Sequence, residues 1–338
     1  MITVIGEALI DLVPMPDSGT LHPLPGGSPL NVAIGAARLG CPTSLMARLS
    51  SDPFGQFLRR YAGRSGVDLD ASPDADEPTT LGIAAVGPAG APGRLYFRGT
   101  ADWQWSTAEL ARIPAATTIL HIGSLACCVA PGAARILRAA DRLRRHGALV
   151  SLALDARPDV MESPARGRLL AERQVGSASV VRASAADVGW LYPGRALADV
   201  AGQWLSLGPE LVIITCGADG VVAVRGSGTV LHRPAYPGRV VDPAGVGDAF
   251  TAALLGGLWQ LSRADPGCWP PRGADLVRLL DLALAAAGLT CGRAGAELPT
   301  AAELELATRP RRPAAPAART PPPARSREAR LPEGHAAT

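Results

Sequence analysis

Short runs rich in β-branched and aliphatic residues alternate along this chain with longer stretches whose apolar positions recur every three or four residues. ITVIG (2–6), SLMARLS (44–50), TTILHIG (117–123), ALVSLAL (148–154), ASVVRA (178–183) and ELVIITCG (210–217) read as buried strands. Helices are predicted at 29–40, closed by Gly40, and at 53–66, with Asp52 as N-cap ahead of Pro53. Further helices are predicted at 131–146, 165–173, 196–207, about 249–259 and 276–291. Apolar strands separated by helices predict a mainly parallel sheet covered on both faces, an α/β fold.

One stretch breaks this rhythm. TTLGIAAVGPAGAPGRLYFRG (79–99) holds two strand-like runs around a Gly/Pro turn with no helix between them. It reads as a hairpin that pairs with residues near 8–13 in a small accessory sheet, the position of a lid beside an α/β core.

Composition narrows the function classes. The chain has 338 residues, 47% of them hydrophobic, enough for one large core or two smaller ones. No apolar run is long and clean enough to span a bilayer, and the N-terminus reads as a first strand rather than a signal peptide. The six cysteines form no C-x-x-C pair, which fits a reducing cytosol and argues against a zinc site or a disulfide framework. From Thr308 onward seven Arg face two Glu, a balance of +5; with a total of +3 the body carries about −2, which is no footprint for nucleic acid. The Ala/Pro/Arg-rich tail, 307–338, is expected to be disordered. All 33 basic residues are Arg, so a Walker A loop and lysine Schiff-base chemistry are excluded.

The strongest chemical signal is VVDPAGVGDAFTAALLGG (240–257). Gly245 and Gly247 bare backbone N–H groups just ahead of an apolar helix, whose N-terminus adds partial positive charge. Together they form an anion pocket suited to a transferring phosphoryl group. Asp248 beside that pocket is positioned as a proton acceptor, kept ionised by helix-end N–H groups. Taken alone, the same residues more readily describe an acid that caps a helix after a turn.

The company of this motif favours the first description. GEALIDLVP (6–14), GGSPLNVAIGAARLG (26–40), SDPFGQFL (51–58), TADWQW (100–105), ITCGADG (214–220), DPAGVGDAF (242–250) and LTCGRAGAELPT (289–300) resemble, in order and spacing, the PfkB carbohydrate kinases, and among them the fructokinases. The resemblance covers about residues 1–306. It implies a ribokinase-like three-layer α/β/α sandwich with a small β-sheet lid, and a lid of this kind often pairs between subunits in a homodimer. It also implies a cytoplasmic enzyme whose partners are a sugar and ATP, with Mg2+ carried on the phosphates, and no nucleic acid or membrane. By this resemblance Asp248 is the catalytic base, and Gly245, Val246 and Gly247 supply the anion-hole amides. Asp11, Gly26, Gly27, Asn31 and Arg98 bind the sugar. Thr215, Gly217 and Gly220 serve the nucleotide, and Asp242 marks the neighbourhood of a potassium ion. Read without the family, Arg98 is a solvated strand residue and 215–220 a plain turn after a strand.

Several positions depart from the family pattern, among them Pro243, which stands for a threonine, and Val246, which stands for an alanine. Anchored on Arg157 and Pro158, its D-P-N-x-R-P reads Ala153-Leu154-Asp155-Ala156-Arg157-Pro158, so Asp155 stands either for the asparagine or, with a slid register, for the acid. Arg182 stands for a lysine, Ser184 for an asparagine, and Asp187 for a glutamate that reaches the metal through water. An added carboxylate at Asp155 repels phosphates unless Arg157 or Arg182 pairs with it. Three readings follow: a kinase for D-fructose, a kinase for another sugar such as 2-keto-3-deoxygluconate, or a weakened descendant that binds sugar or nucleotide without transfer.

Overall fold

Val, Ile and Leu fill the central strands to the point of complete burial, and the layers of the molecule follow from that. The computed structural model describes residues 1–309 apart from 16–18, 87–91, 98, 227 and 266. Arg98 and the tail from 310 onward, whose disorder was expected, therefore lie outside the described residues. Residues Met1–Thr308 form one compact unit.

The main sheet has eight strands, in the order Val230–Arg233, Val221–Arg225, Leu211–Thr215, Val180–Ser184, Leu149–Ala153, Ile119–Gly123, Ile2–Ile5 and Thr43–Met46. The six from Leu211–Thr215 to Thr43–Met46 run parallel, and the other two close one edge antiparallel. One face packs on the helices Ser28–Arg38, Val246–Ala264 and Gly273–Cys291 through Ile34, Phe250, Leu255 and Leu280. The other packs on Gly132–Arg145, Pro164–Gly176 and Leu197–Leu205 through Ile136, Val175 and Trp204. Side chains of this size contribute about 1.5–3 kcal/mol each on burial, so two such layers hold the sheet between them. The α/β/α sandwich is the architecture the strand and helix pattern predicts.

The smaller sheet has four strands, ordered Leu21–Gly26, Leu9–Pro14, Leu81–Val86 and Pro92–Tyr96. Leu9–Pro14 pairs parallel with Leu81–Val86, placing Asp11 opposite Gly82. The first of these strands, LHPLPG, carries no strand signal because two prolines interrupt it. Proline is tolerated there because this is an edge strand, with no ladder partner beyond it among the described residues.

Asp52 does cap the helix Pro53–Arg64, its Oδ1 accepting from Gly55 N at 2.7 Å. Two helix starts differ from the sequence reading. The helix expected from about 249 begins at Val246, and the one expected from 276 begins at Gly273. The first shift matters for the chemistry, because it places Asp248 inside the first turn rather than ahead of it.

Candidate active site

Gly245 turns the chain into the helix Val246–Ala264 through a left-handed conformation, φ 71° and ψ −1°. A Cβ at that position would come within 2.6 Å of the Ala296 Cβ, so space and dihedral both demand glycine. Among the described residues no side chain caps this helix. The N–H groups of Gly247 and Asp248, in the first turn, have no residue four positions back to bond within the helix. The Val246 N–H turns toward the Pro243 carbonyl at 3.4 Å. An uncapped helix end with its dipole positive attracts an anion.

A cleft of about 580 Å³ opens beside that helix end, at the carboxyl ends of the parallel strands and under the smaller sheet. Asp248 lines it, half-buried. Ser28 Oγ donates to Asp248 Oδ1 at 2.6 Å, and Asn31 Nδ2 donates to Oδ2 at 2.8 Å. Both donors come from the start of the helix Ser28–Arg38, which the left-handed Gly27 (φ 106°) launches. Burial pushes the Asp248 carboxyl above the ordinary aspartate range, against the pull of Ser28, Asn31 and Arg182 toward the ionised form. The helix-end field was expected to dominate. Removal from water outweighs it, and the carboxylate is a stronger base for that reason.

Arg182 faces the same helix end from the strand Val180–Ser184. A Cβ on Gly247 would lie 2.7 Å from its Nη2, so the missing side chain of Gly247 is what admits the guanidinium. Nη2 donates to Thr215 Oγ1 at 3.0 Å, and the buried Nε has no hydrogen-bond partner among the described residues. Thr215 thus enters the site through Arg182. Gly217 and Gly220 lie in the turn beyond and are not part of the cleft wall. A Cβ on Gly220 would meet the Arg233 carbonyl oxygen at 2.0 Å.

At the opposite end, the Asp11 carboxylate sits in a slot made by glycines on both flanking strands. A Cβ on Gly26 would come within 2.4 Å of Oδ2, and one on Gly82 within 2.7 Å of Oδ1. Gly82 and Ser28 are site residues the sequence reading missed, the latter although it sits inside the quoted G-G-S-P-L-N run. Glu7 is a third. It lines the cleft only 1% exposed, accepts from Ala126 N at 3.1 Å, and is pushed up from the ordinary glutamate range by burial. An acid closing the buried strand run ITVIG was the available signal.

The added carboxylate at Asp155 is paired. Arg157 Nε and Nη2 both reach its Oδ2, at 2.7 and 2.6 Å. Arg157 Nη1 donates to the Tyr96 hydroxyl at 2.9 Å, which ties the second hairpin strand of the smaller sheet to the core. Its Nη2 also reaches Ser124 Oγ at 3.3 Å. The guanidinium pKa is raised, burial being outweighed by Asp155 and the other groups around it. Arg157 is therefore committed to neighbours, and Arg182 is the cation left facing the helix end.

Ser184 and Asp187 line the cleft but spend their bonds locally. They form a capping box on the helix Ala185–Leu191, with Ser184 Oγ to Asp187 Oδ2 at 2.6 Å and Asp187 N to Ser184 Oγ at 3.0 Å. Asp187 Oδ1 also accepts from Ala156 N at 2.9 Å. Burial first, and Asp155 second, push the Asp187 carboxyl up. Asp242 accepts from Ala244 N and Gly295 N, each at 2.8 Å, and so joins the two loops flanking Gly245. Among the described residues no group of three or more His, Cys, Asp or Glu is arranged to hold a metal ion, and no helix is long and apolar enough to cross a membrane.

Comparison with known proteins agrees with this geometry. Residues 1–302 match the pfkB family carbohydrate kinases. The chain belongs to that family, and it has the ribokinase-like fold with its small β-sheet lid. It is 32% identical over 260 residues to a fructokinase of Klebsiella pneumoniae, covering 76% of this chain and 84% of that one. It is 27% identical over 278 residues to a 5-dehydro-2-deoxygluconokinase of Geobacillus kaustophilus, covering 77% and 83%. The solved structure of aminoimidazole riboside kinase from Salmonella enterica, complexed with aminoimidazole riboside and an ATP analogue, superposes with a TM-score of 0.78. It is 28% identical and covers 90% of this chain and 99% of its own.

Proposed function

We propose that this sugar kinase transfers the γ-phosphoryl group of ATP to a hydroxymethyl group of its sugar, with D-fructose as the acceptor. The observation that carries the reading is Asp248: a carboxylate of raised basicity, oriented by Ser28 and Asn31, at the mouth of an uncapped helix end faced by Arg182. Fructose as acceptor is further supported by the similarity to fructokinases.

In this mechanism the sugar lies under the smaller sheet, its hydroxyls donating to Asp11, and its hydroxymethyl oxygen reaches Asp248. Asp248 takes the proton as that oxygen attacks the γ-phosphorus in line and the bridging bond to the β-phosphate breaks, with ADP as the leaving group; Ser28 and Asn31 hold the carboxylate toward the cleft. The Gly247 and Asp248 amides and the Arg182 guanidinium face the charge that develops on the transferring phosphoryl oxygens. Six carboxylate side chains line the cleft against the guanidiniums of Arg157 and Arg182, so the phosphates bring more negative charge to a site already acidic. A magnesium ion on the nucleotide would fit that imbalance: it would supply positive charge to the phosphate oxygens, and Asp187 is the residue of this chain that would hold its water shell. Asp242, whose oxygens already join the two flanking loops, marks where a potassium ion would sit. Closure of the smaller sheet keeps water from competing with the sugar.

The test is ATP turnover by purified protein across a panel of neutral and acidic sugars, with the product position assigned by NMR. Phosphate transfer to the fructose hydroxymethyl group is the expected result. Sugar binding without transfer to any member of the panel overturns it.

A further inference from the structure

Gly6 and Glu7 lie where the strand Ile2–Ile5 gives way to the smaller sheet, and the first turn of the helix Ser28–Arg38 rests on them. Two omitted side chains allow that contact. A Cβ on Gly6 would collide with the Pro29 ring, and one on Gly27 would lie 2.7 Å from the Glu7 carbonyl oxygen and 3.3 Å from Glu7 Cγ. At such close packing the helix start shifts only when the Gly6–Glu7 segment shifts with it. That helix start carries Ser28 and Asn31, the two donors on Asp248.

The Glu7 side chain is what fixes this seat. It is buried, and its Oε2 accepts from Ala126 N at 3.1 Å. The Ser124 hydroxyl bonds the same carboxyl. The next residue is held as well, Ala8 N donating to Asp102 Oδ1 at 3.4 Å. A buried carboxyl that loses such partners carries the full cost of its removal from water, so the anchorage resists displacement. The charged groups facing Glu7 are Arg157 and Asp102, whereas those that bear most on Asp248 are Arg182 and Asp155. The connection from Glu7 to Asp248 therefore runs through the helix start.

We propose that Glu7 is a positioning residue for phosphoryl transfer: its carboxyl, tied to the turn at 124–126, holds the start of the helix Ser28–Arg38 so that Ser28 and Asn31 meet Asp248. It rests on the kinase reading for the task of Asp248 but not for the linkage itself. The sign of the effect separates positioning from charge. Removing a nearby carboxylate relieves repulsion and lowers the pKa of another acid, whereas loosening donors to the ionised form raises it.

Titration of the Asp248 carboxyl by 13C NMR in the full chain, assigned by loss of its signal in Asp248→Asn, tests this without turnover. Glu7→Ala is expected to raise that pKa by about one pH unit, the scale of losing one donor to a carboxylate. Its kcat is expected to fall by about tenfold or more through misplacement of the base, with the KM for ATP little changed. Glu7→Gln, whose amide oxygen still accepts from Ala126 N, should stay near the wild type in both respects. Glu7→Asp keeps the charge but shortens the reach; it should shift the pKa upward by less, and it keeps the test open should Glu7→Ala fold poorly. In a Ser28→Ala background Glu7→Ala should add less than it does alone. An Asp248 pKa that falls or stays put in Glu7→Ala and Glu7→Asp overturns the proposal. Full additivity with Ser28→Ala, or a Glu7→Gln as damaging as Glu7→Ala, overturns it too. The expected shifts in a protein that transfers phosphate to no sugar overturn the kinase mechanism and support the positioning role, whereas transfer with an unmoved Asp248 pKa does the reverse.

Discussion

The guanidinium of Arg182 lies so close to Gly247 that a methyl group built on that glycine would come within 2.7 Å of Nη2. The two residues are 65 positions apart in the sequence, and their contact brings a side-chain cation to the first turn of the helix Val246–Ala264. Gly247→Ala should therefore push the guanidinium off the helix end while leaving the turn at Gly245 intact. We expect kcat to fall by about 10²-fold, the scale for losing one preorganised donor, with a smaller change in sugar KM. Steady-state kinetics with sugar and ATP varied separately would check this, and an unchanged kcat would remove Arg182 from the phosphate site.

Asp248→Asn removes the proton acceptor and keeps the side-chain volume. Turnover should drop by about 10²–10⁴-fold, the contribution of a general base, with sugar affinity little affected. Turnover close to that of the wild type would show that the acceptor lies elsewhere.

The pH profile follows from the direction of the Asp248 shift. Burial raises its pKa in the folded protein, so on acidification this carboxylate is lost at a higher pH than an ordinary aspartate. Because the ionised form is the base, kcat/KM should decline on the acid side through that raised pKa and be full above it. Ser28 donates to the ionised form, so Ser28→Ala should move the acid limb to still higher pH. A limb that stays at the ordinary aspartate range in both proteins would contradict the assignment.

Ser124 offers a separation of stability from activity. Relief of a backbone held near φ 55° contributes about 1–3 kcal/mol, and the added freedom of an unfolded glycine offsets about 0.5–1 kcal/mol of it. Ser124→Gly should therefore raise the thermal midpoint while loosening Arg157 and raising the sugar KM. Thermal unfolding and kinetics on one preparation decide it. A fall in both stability and activity would mark Ser124 as an ordinary structural residue.

Much of the fold was legible because its signals are local. Apolar strand runs, the Asp52 cap and the turn at Gly245 depend on neighbours within a few residues, and each reads correctly from the chain. The strand Leu21–Gly26 was not legible, since prolines suppress the strand signal and only its edge position tolerates them.

The order of residues by itself determined the layered α/β architecture and the glycine turn that has Asp248 beside it. Tertiary structure decided what those groups do to one another: that Ser28 and Asn31 orient Asp248, that Arg157 is consumed by Asp155, and that Arg182 is left for the helix end. The physical reason is that pairing, burial and the resulting shifts in proton affinity depend on distances of a few ångströms between residues tens to hundreds of positions apart. No local pattern of side chains encodes those distances; the packing of sheet on helix does.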